Sequence, residues 1–552
     1  MAGDTVGTES HGDEQASVLD DVTAALETDA ALGAPDRSFL ESSFFDFSWP
    51  DDWEFRDGYW VNEPFAHVAV FRDPANRELR YHLTEPSLDD FEAHVRRDAA
   101  DRVRTRLLDA GLDREQADRS SDGLLDEFVA DELRHVDPGV RQKVAYYLRR
   151  DFLGFGVVDP FMQDPGIEDL HVGGSDRPAY IYHRDYGNIG TNRTWGDERL
   201  DSLAVRMAQR AGRHLSASKP LLTTTLPDGS RVQVTLGTDV ATHGSNLTIR
   251  KFREEPFTPP ELVEYGTFSV EQMAYLWLAI EHNCSVMFVG PTASGKTTSM
   301  NACSLFVPPD AKIVSIEETR EVSLPHDNWI SNVTRESDVA AERPGVDTYE
   351  LLSEALHQRP THVIVGEIRT DPDVVFTFFQ AMGTGHAGFT TFHADSPRDT
   401  LRRLRNDPLS IPDELVSDID VIALQQMMEI DGERARKARS ITEVHEPAEP
   451  ERTRPELDEV FAYDAESRAF DQTAPSRLLR EVAGRQGWSD ERLRTELKRR
   501  QEVLGHMVGH GITGYESVTD LLFLFGRDPE RALERTDGLP SGTDRIAVAE
   551  DD

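Results

Sequence analysis

The sequence predicts an α/β protein: a parallel sheet covered on both faces by helices, preceded by an α+β domain and followed by a small, mostly helical extension. Three observations carry this. From residue 284 onward apolar strand segments alternate with helical ones, the pattern of a parallel sheet buried on both sides. The stretch "FVGPTASGKTTSM", residues 288–300, sets a glycine-bearing loop between such a strand and such a helix. Upstream, short segments with period-two alternation and turn residues surround a single long helical stripe, as in an α+β domain.

At 552 residues the chain has room for about two to four domains, each able to bury its own core. Its charge balance is 101 Asp and Glu against 59 Lys and Arg, a formal net of −42, and only seven of the cations are lysines. Acidity with so little lysine suits a protein that stays soluble in concentrated salt, where a short screening length weakens self-repulsion. A salt-rich cytoplasm is the expected setting. The same field repels phosphate backbones, and no Lys/Arg cluster interleaved with aromatics offsets it, so nucleic acid is not an expected partner. Two cysteines, Cys284 and Cys303, support neither a disulfide framework nor a four-cysteine zinc site. The N-terminus is acidic rather than basic-then-apolar, and no apolar run approaches the roughly 20 residues of a membrane span. The chain is expected to be cytoplasmic and to reach a membrane peripherally, through a partner.

Residues 1–44, rich in Asp, Glu, Gly, Ser and Ala, are expected to form a disordered acidic lead. An aromatic and helical region is expected over 45–155. It opens on "FDFSWPDDWEFRDGYWVNEPFAHVAVF" and holds an amphipathic helix in "PGVRQKVAYYLRRDFLGFG", where Val140, Val144, Leu148 and Phe152 share one stripe. The α+β domain is expected over 156–253, with strands in "IEDLHVGGSDRPAYIYHRDYGNIGTN", "SRVQVTLG" and "SNLTIRKF" and a helix bearing Leu200, Leu203, Met207 and Ala211. "FTPPELVEYGTFS" reads as a linker, placed at 254–268, and Ser269 with Gln272 forms a candidate capping box for the helix that follows. The alternating strands and helices fill 269–430. A charged, proline-containing linker at 431–458, a hairpin and helical module at 459–526 and an acidic, mobile tail at 527–552 complete the expected organisation.

Residues 290–297 fit G-x-x-x-x-G-K-[ST]. Gly290 and Gly295 let the backbone turn so that successive N–H groups face phosphate oxygens, and the helix expected from Lys296 adds the positive end of its dipole. From the chain's own residue frequencies, on the order of 0.004 such matches arise by chance, which sets coincidence aside. Gly290, Pro291, Thr292, Ala293, Ser294, Gly295, Lys296, Thr297 and Thr298 are therefore the candidate ATP-binding set, with Lys296 for the β and γ phosphates and the Thr297 hydroxyl for Mg²⁺.

The apolar run in "THVIVGEIRTDPD", residues 361–373, ends in Glu367. At the C-terminal end of a parallel strand a carboxylate faces the ligand crevice, where Glu367 is suited to polarise an attacking water or to hold Mg²⁺ through water. "KIVSIEETREVSLPHDNW" supplies a second acidic strand end in Glu317 and Glu318, with Glu321 a turn later. "GTGHAGFTTFHADS" places His386 and His393 seven residues apart around a threonine-bearing strand. No cysteine or H-E-x-x-H partner completes a zinc set for them. A histidine beside the γ-phosphate is suited instead to sense ATP against ADP and to move its strand.

Taken in order, "GPTASGKTT", the acidic box "IEETRE", the Walker B-like "VGEIRTDPD" and the histidine box "GTGHAGFTTFHADSP" resemble the secretion ATPases of the type II secretion, type IV pilus and archaellum systems. The likeness reaches back through "LPDGSRVQVTLG" and "LTIRKF". The resemblance implies a homohexameric ring in which an N-terminal domain is joined flexibly to a RecA-like P-loop motor domain. It implies ATP hydrolysis that drives filament assembly or secretion through a polytopic membrane platform protein, with pilin-like or archaellin-like subunits engaged indirectly. It also implies Lys296 and Thr297 as phosphate and Mg²⁺ ligands, Glu367 as the Walker B glutamate, and His386 and His393 as the histidine box. Arg231 and Arg250 match N-terminal-domain arginines that approach the nucleotide when the two domains close.

The family's acidic box usually reads Glu-Asp where this chain has Glu317 and Glu318, which leaves open which of Glu317, Glu318 and Glu321 takes the catalytic part. Two cysteines cannot build the zinc module frequent in bacterial assembly ATPases of the family. The sequence therefore resembles the archaeal branch, and its aromatic lead and C-terminal extension favour a pilus-type motor. Two other functions compete: a nucleic-acid translocase, which the net charge opposes, and a nucleotide-gated scaffold with little turnover, which Lys296, Thr297 and Glu367 oppose.

Overall fold

The computed structural model describes residues 11–27, 32, 34–109, 125, 128–129, 131–252, 255–335, 344–430, 433–447 and 454–537. By internal contacts the chain forms two compact units, Met1–Phe252 and Arg253–Asp552.

The first unit contains β1 (Glu54–Asn62), β2 (Ala66–Arg72), β3 (Leu79–Thr84), β4 (Ile167–Val172), β5 (Tyr180–His183), β6 (Gly187–Thr191), β7 (Leu221–Thr225), β8 (Arg231–Thr235) and β9 (Asn246–Arg250). These described strands make one sheet in the order β1-β2-β3-β6-β5-β4-β9-β8-β7. Period-two alternation sets its faces: β8 buries Val232 and Val234 and exposes Arg231 and Gln233. On the buried face lies the helix Asp197–Arg210, with Leu200, Leu203, Ala204 and Met207 in the common core.

Two expectations need correction here. The regions 45–155 and 156–253, expected to be separate, share one sheet and one core: β3 pairs in parallel with β6, and Tyr81 and Leu83 pack with Ile167 and Leu170. Tyr81 also donates to Asp164 Oδ2 over 2.8 Å. The lead expected to be disordered contains the helix His11–Glu27, whose Val18, Val22 and Leu26 recur every four residues and pack on Leu40, Phe44 and Phe45. Sparse but correctly spaced apolar residues outweigh an acidic composition. The rest of that lead, 1–10, 28–31 and 33, lies outside the described residues.

The second unit is built on β10 (Val286–Val289), β11 (Ile313–Glu317), β12 (Trp329–Val333), β13 (His362–Val365), β14 (Ala387–Phe392), β15 (Val421–Ile430), β16 (Glu433–His445), β17 (Glu456–Asp464) and β18 (Ala469–Gln472). Their order is β12-β11-β13-β14-β10-β15-β16-β17-β18, parallel from β12 to β15 and antiparallel beyond. In β10, Val286 and Phe288 enter the core under the helices Val270–Glu281 and Lys296–Ser304. Met287 and Val289 enter the opposite one, under Thr348–His357 and Pro372–Gly383. This is a parallel sheet covered on both faces, the RecA-like P-loop architecture. The helix Val270–Glu281 begins in a reciprocal Ser269–Gln272 capping box.

Within the residues expected as a charged linker, 431–458, the structure has β16, paired with β15 from Val421↔Glu443 to Ile430↔Glu433. Arg434, Arg436, Lys437 and Arg439 stand exposed or half-buried along this ribbon, while Ala438, Ile441 and Val444 are buried. The stretch 254–268, expected as a linker, holds the helix Pro259–Glu264, closed by a Thr258–Glu261 capping box. The C-terminal helices Arg477–Gln486, Asp490–Gly509 and Tyr515–Arg527 share the core of the helix Val270–Glu281. Trp277 stacks on Phe306 at 5.2 Å and meets Phe525 at 4.8 Å. Arg500 bonds Glu281 at 2.6 Å and Glu496 at 3.1 Å. Glu443, buried on β16, accepts from the Tyr275 hydroxyl, from Ser476 Oγ and from the backbone N–H groups of Arg477 and Leu478, closing the N-terminus of the first of those helices. The helix Pro529–Asp537 falls within the tail expected to be mobile, and 538–552 lie outside the described residues. No described helix is long and apolar enough to cross a membrane.

Candidate nucleotide site

β10 ends at Val289 and the loop leaves the sheet through Gly290, φ +155°. A Cβ there would lie 2.2 Å from the Gln425 carbonyl oxygen, so no other residue passes this point. Ala293 at φ +62° and Gly295 at φ +93° complete the curl, and the helix Lys296–Ser304 starts directly after it, its first N–H groups at the loop. Pro291, Thr292 and Ala293 form an exposed rim, Ser294 and Lys296 are buried, and Thr297 and Thr298 are half-buried. Ser294 Oγ and Lys296 Nζ both donate to the Pro291 carbonyl, over 2.8 and 2.9 Å, so the lysine folds back on its own loop.

Parallel strands deliver the acidic residues to the same edge. Glu367 lies two residues past β13, gripped from two sides: His393 Nε2 is 2.8 Å from Oε1, and Arg369 Nε donates to Oε2 over 2.7 Å. Arg369 also reaches Glu318 Oε2 at 3.3 Å. Its hydrogen bond to Glu367 raises the Arg369 pKa further, while partial burial and the Lys296 charge lower that of His393. Burial and the Lys296 charge favour the neutral ring, the Glu367 charge opposes them, and a donor at Nε2 is the one that faces the carboxylate.

Glu317 ends β11 beside Gly366. Its Oε1 accepts from the N–H groups of Glu321 and Val322, both at 2.9 Å, whereas its buried Oε2 has no hydrogen-bond partner. Burial pushes its carboxyl up to about 7. Glu318 is exposed and Glu321 half-buried. The Thr297 hydroxyl and the Glu367 carboxylate are oxygen donors of the kind Mg²⁺ takes, and the bare oxygen of Glu317 adds an acceptor at the same edge. The residues present fit that ion.

The two histidines separate. His393 follows the C-terminal end of β14, but His386 precedes its N-terminal end, with Nδ1 3.0 Å from the Ala381 carbonyl oxygen. Six residues of strand at about 3.3 Å each put them at opposite edges of the sheet. Seven-residue spacing brackets a strand, and a strand carries its ends apart. Arg231 and Arg250 lie in the first unit, directly paired across β8 and β9, both exposed and neither in an ion pair among the described residues.

Sequence reasoning missed three residues. Arg369 stood in plain view two positions after Glu367. Gln425, fully buried beside Gly290, and Arg436, whose Nε donates to the Ala293 carbonyl over 3.2 Å, lie on strands whose register no local pattern reveals.

A glycine-curled loop opening a helix at the C-terminal edge of a parallel sheet, with carboxylates on the neighbouring strand ends, defines a RecA-like P-loop domain. Residues 163–493 match the family model described as type II/IV secretion system protein, and 34–87 and 466–541 match models described as PilB3-like, N-terminal and C-terminal. An uncharacterised protein of Methanocaldococcus jannaschii is 36% identical over 470 residues, 83% of this chain and 81% of its own length. The type IV secretion system protein PtlH of Bordetella pertussis is 31% identical over 274 residues, 44% of this chain and 78% of its own. The chain belongs to the type II/IV secretion system protein family. Among solved structures it is similar to the Legionella pneumophila ATPase DotB, with a TM-score of 0.37 and 18% identity over 64% of this chain and 91% of that one.

Proposed function

We propose that the protein is an ATP-hydrolysing motor, working as a homohexamer on a polytopic membrane platform protein to power a pilus-like filament or secretion. The observation that carries this is the convergence of the P-loop, Glu367 and His393 on one sheet edge. A glutamate oriented by an imidazole is equipped for proton transfer, which a scaffold does not need.

In this reading Lys296 leaves the Pro291 carbonyl for the β and γ phosphates, and the N–H groups of the loop take up the remaining oxygens. Thr297 and, through water, Glu367 hold Mg²⁺, which when bound neutralises charge on the β and γ oxygens. Glu367 accepts a proton from the attacking water as its oxygen joins the γ-phosphorus and the bond to the ADP oxygen breaks. His393 donates to Glu367 and fixes the direction of that carboxylate. Glu317 shapes the turn that carries Glu318 and Glu321. Arg231 and Arg250 meet phosphate oxygens through paired hydrogen bonds. Like charges set directly opposite on adjacent strands repel, and a shared anion relieves that repulsion. The placement of His386 supports no role at the phosphates of this site. The pilus reading is supported by the match to PilB3-like models at both ends of the chain.

Phosphate release in concentrated KCl tests the proposal. Lys296→Ala is expected to abolish turnover, and Glu367→Gln to bind ATP and retain it; Lys296→Ala turning over within about twofold of wild type sinks the assignment. Sizing with and without ATP tests the ring.

A further inference from the structure

Arg436 stands on β16 beside the P-loop. Its Nε holds the Ala293 carbonyl, and a Cβ at Gly295 would lie 3.4 Å from Arg436 Cδ, so the side chain follows the loop from residue 293 to residue 295. The register explains the approach. Ala438 pairs with Gln425 and Arg436 with Met427, and residues two apart on a strand share a face. Ala438 belongs to the core that also holds Met300 and Ala302 of the P-loop helix, so Arg436 and Gln425 both rise from the face that carries that helix.

Ala293 is a non-glycine residue in the left-handed region, a conformation that persists only where its surroundings hold it. A charge-assisted hydrogen bond to its carbonyl is such a hold. At the root of the same loop, Gln425 is fully buried, and neither its amide oxygen nor its amide nitrogen has a hydrogen-bond partner. A buried, unpartnered amide beside Gly290 is hydrogen-bonding capacity that a loop reshaped by phosphate would use.

We propose that Arg436 is a positioning residue for the nucleotide: it acts through the Ala293 carbonyl to keep the phosphate-gripping N–H groups of the loop in their curl. The inference rests on the reading of this loop as an ATP site and adds to it a residue from outside the loop, the acidic box and the histidine box. Arg436 braces a loop that ATP and ADP both use. Its loss therefore weakens both nucleotides alike, unlike loss of a γ-phosphate ligand.

The test uses the full-length chain with fluorescent ATP and ADP analogues, followed by steady-state phosphate release. Arg436→Ala is expected to raise the ADP dissociation constant, the ATP dissociation constant and KM together, each about tenfold, the effect of losing one charge-assisted hydrogen bond. The maximal rate should stay within about threefold, because the γ-phosphate machinery is untouched. Arg436→Lys, which keeps a cationic donor, should recover most of the affinity. Arg436→Met, which keeps the aliphatic stem along the loop, should behave as Ala and replaces it if Ala disturbs β16. Nucleotide affinities within twofold of wild type, a fall in maximal rate with KM unchanged, or Lys no better than Met overturns the inference while leaving the ATP site standing. A folded wild-type chain that binds neither analogue overturns both.

Discussion

Replacing Glu317 by Gln offers a direct reading of what burial does to the acidic edge of the sheet. The carboxyl's rise from 4.5 to about 7 follows from burial, opposed only in part by the N–H groups of Glu321 and Val322. A folded chain that keeps a proton to higher pH than the unfolded chain is fully stabilised below pH 4.5, and it loses that stability as pH rises through about 7. At 1.36 kcal/mol for each pH unit between the two values, the loss approaches about 3 kcal/mol. Gln stays neutral throughout, and its carbonyl oxygen still accepts from Glu321 and Val322. Glu317→Gln is therefore expected to match wild type near pH 4.5 and to exceed it progressively above, by up to about 3 kcal/mol near pH 8. Asp159 and Asp420, each raised to about 6 by burial, act in the same direction, but both chains carry them and their effects cancel in the difference. Urea titrations between pH 5 and 8, followed by tryptophan fluorescence, measure it. Trp329 is a suitable reporter, since its Nε1 donates to Ser315 on the strand that ends in Glu317. A difference that is flat across this range, or that grows toward low pH, refutes the reasoning.

Arg231→Ala and Arg250→Ala should each cut turnover in the full-length chain far more than they weaken nucleotide binding, by about 10³-fold on the precedent of other phosphate-directed arginines; rates near wild type for both would remove these residues from the reaction. With a net charge of −42, dilution from 1 M to 0.1 M KCl lengthens screening from about 3 Å to about 10 Å and should lower the thermal midpoint. An unchanged midpoint would count against the saline setting. Arg500→Ala leaves Glu496 and Glu281 without their buried cation and should cost about 3 kcal/mol or more by urea titration, so a loss below about 1 kcal/mol would show the pair to be solvated.

Much of the motor was legible because its signals are local. Gly290 and Gly295 announce a tightly curled loop, and the apolar run before Glu367 announces a buried strand ending at the ligand edge. What escaped was long-range. The helix His11–Glu27 stands on three buried apolar residues in an acidic stretch, and only the residues they pack on, Leu40 and Phe44, give them meaning. The sequence of β16 reads as a solvated charge run, because its backbone pairs with β15 whatever its outward side chains are. Arg436 and Gln425 could not be placed until that register was known. His386 and His393 look like a pair in sequence, yet the strand between them makes them opposite ends of one element.

The carboxylate of Glu443 gives the C-terminal extension a different standing from that of an appended module. Three of its donors, Ser476 Oγ and the N–H groups of Arg477 and Leu478, arrive from the extension, while the strand that bears it belongs to the motor. A chain cut after residue 458 would keep the acid and discard those donors, and it would strip Phe525 from Trp277 and Arg500 from Glu281. Motor and extension are then inseparable parts, and a chain trimmed after residue 458 is expected to be less soluble than the full-length chain.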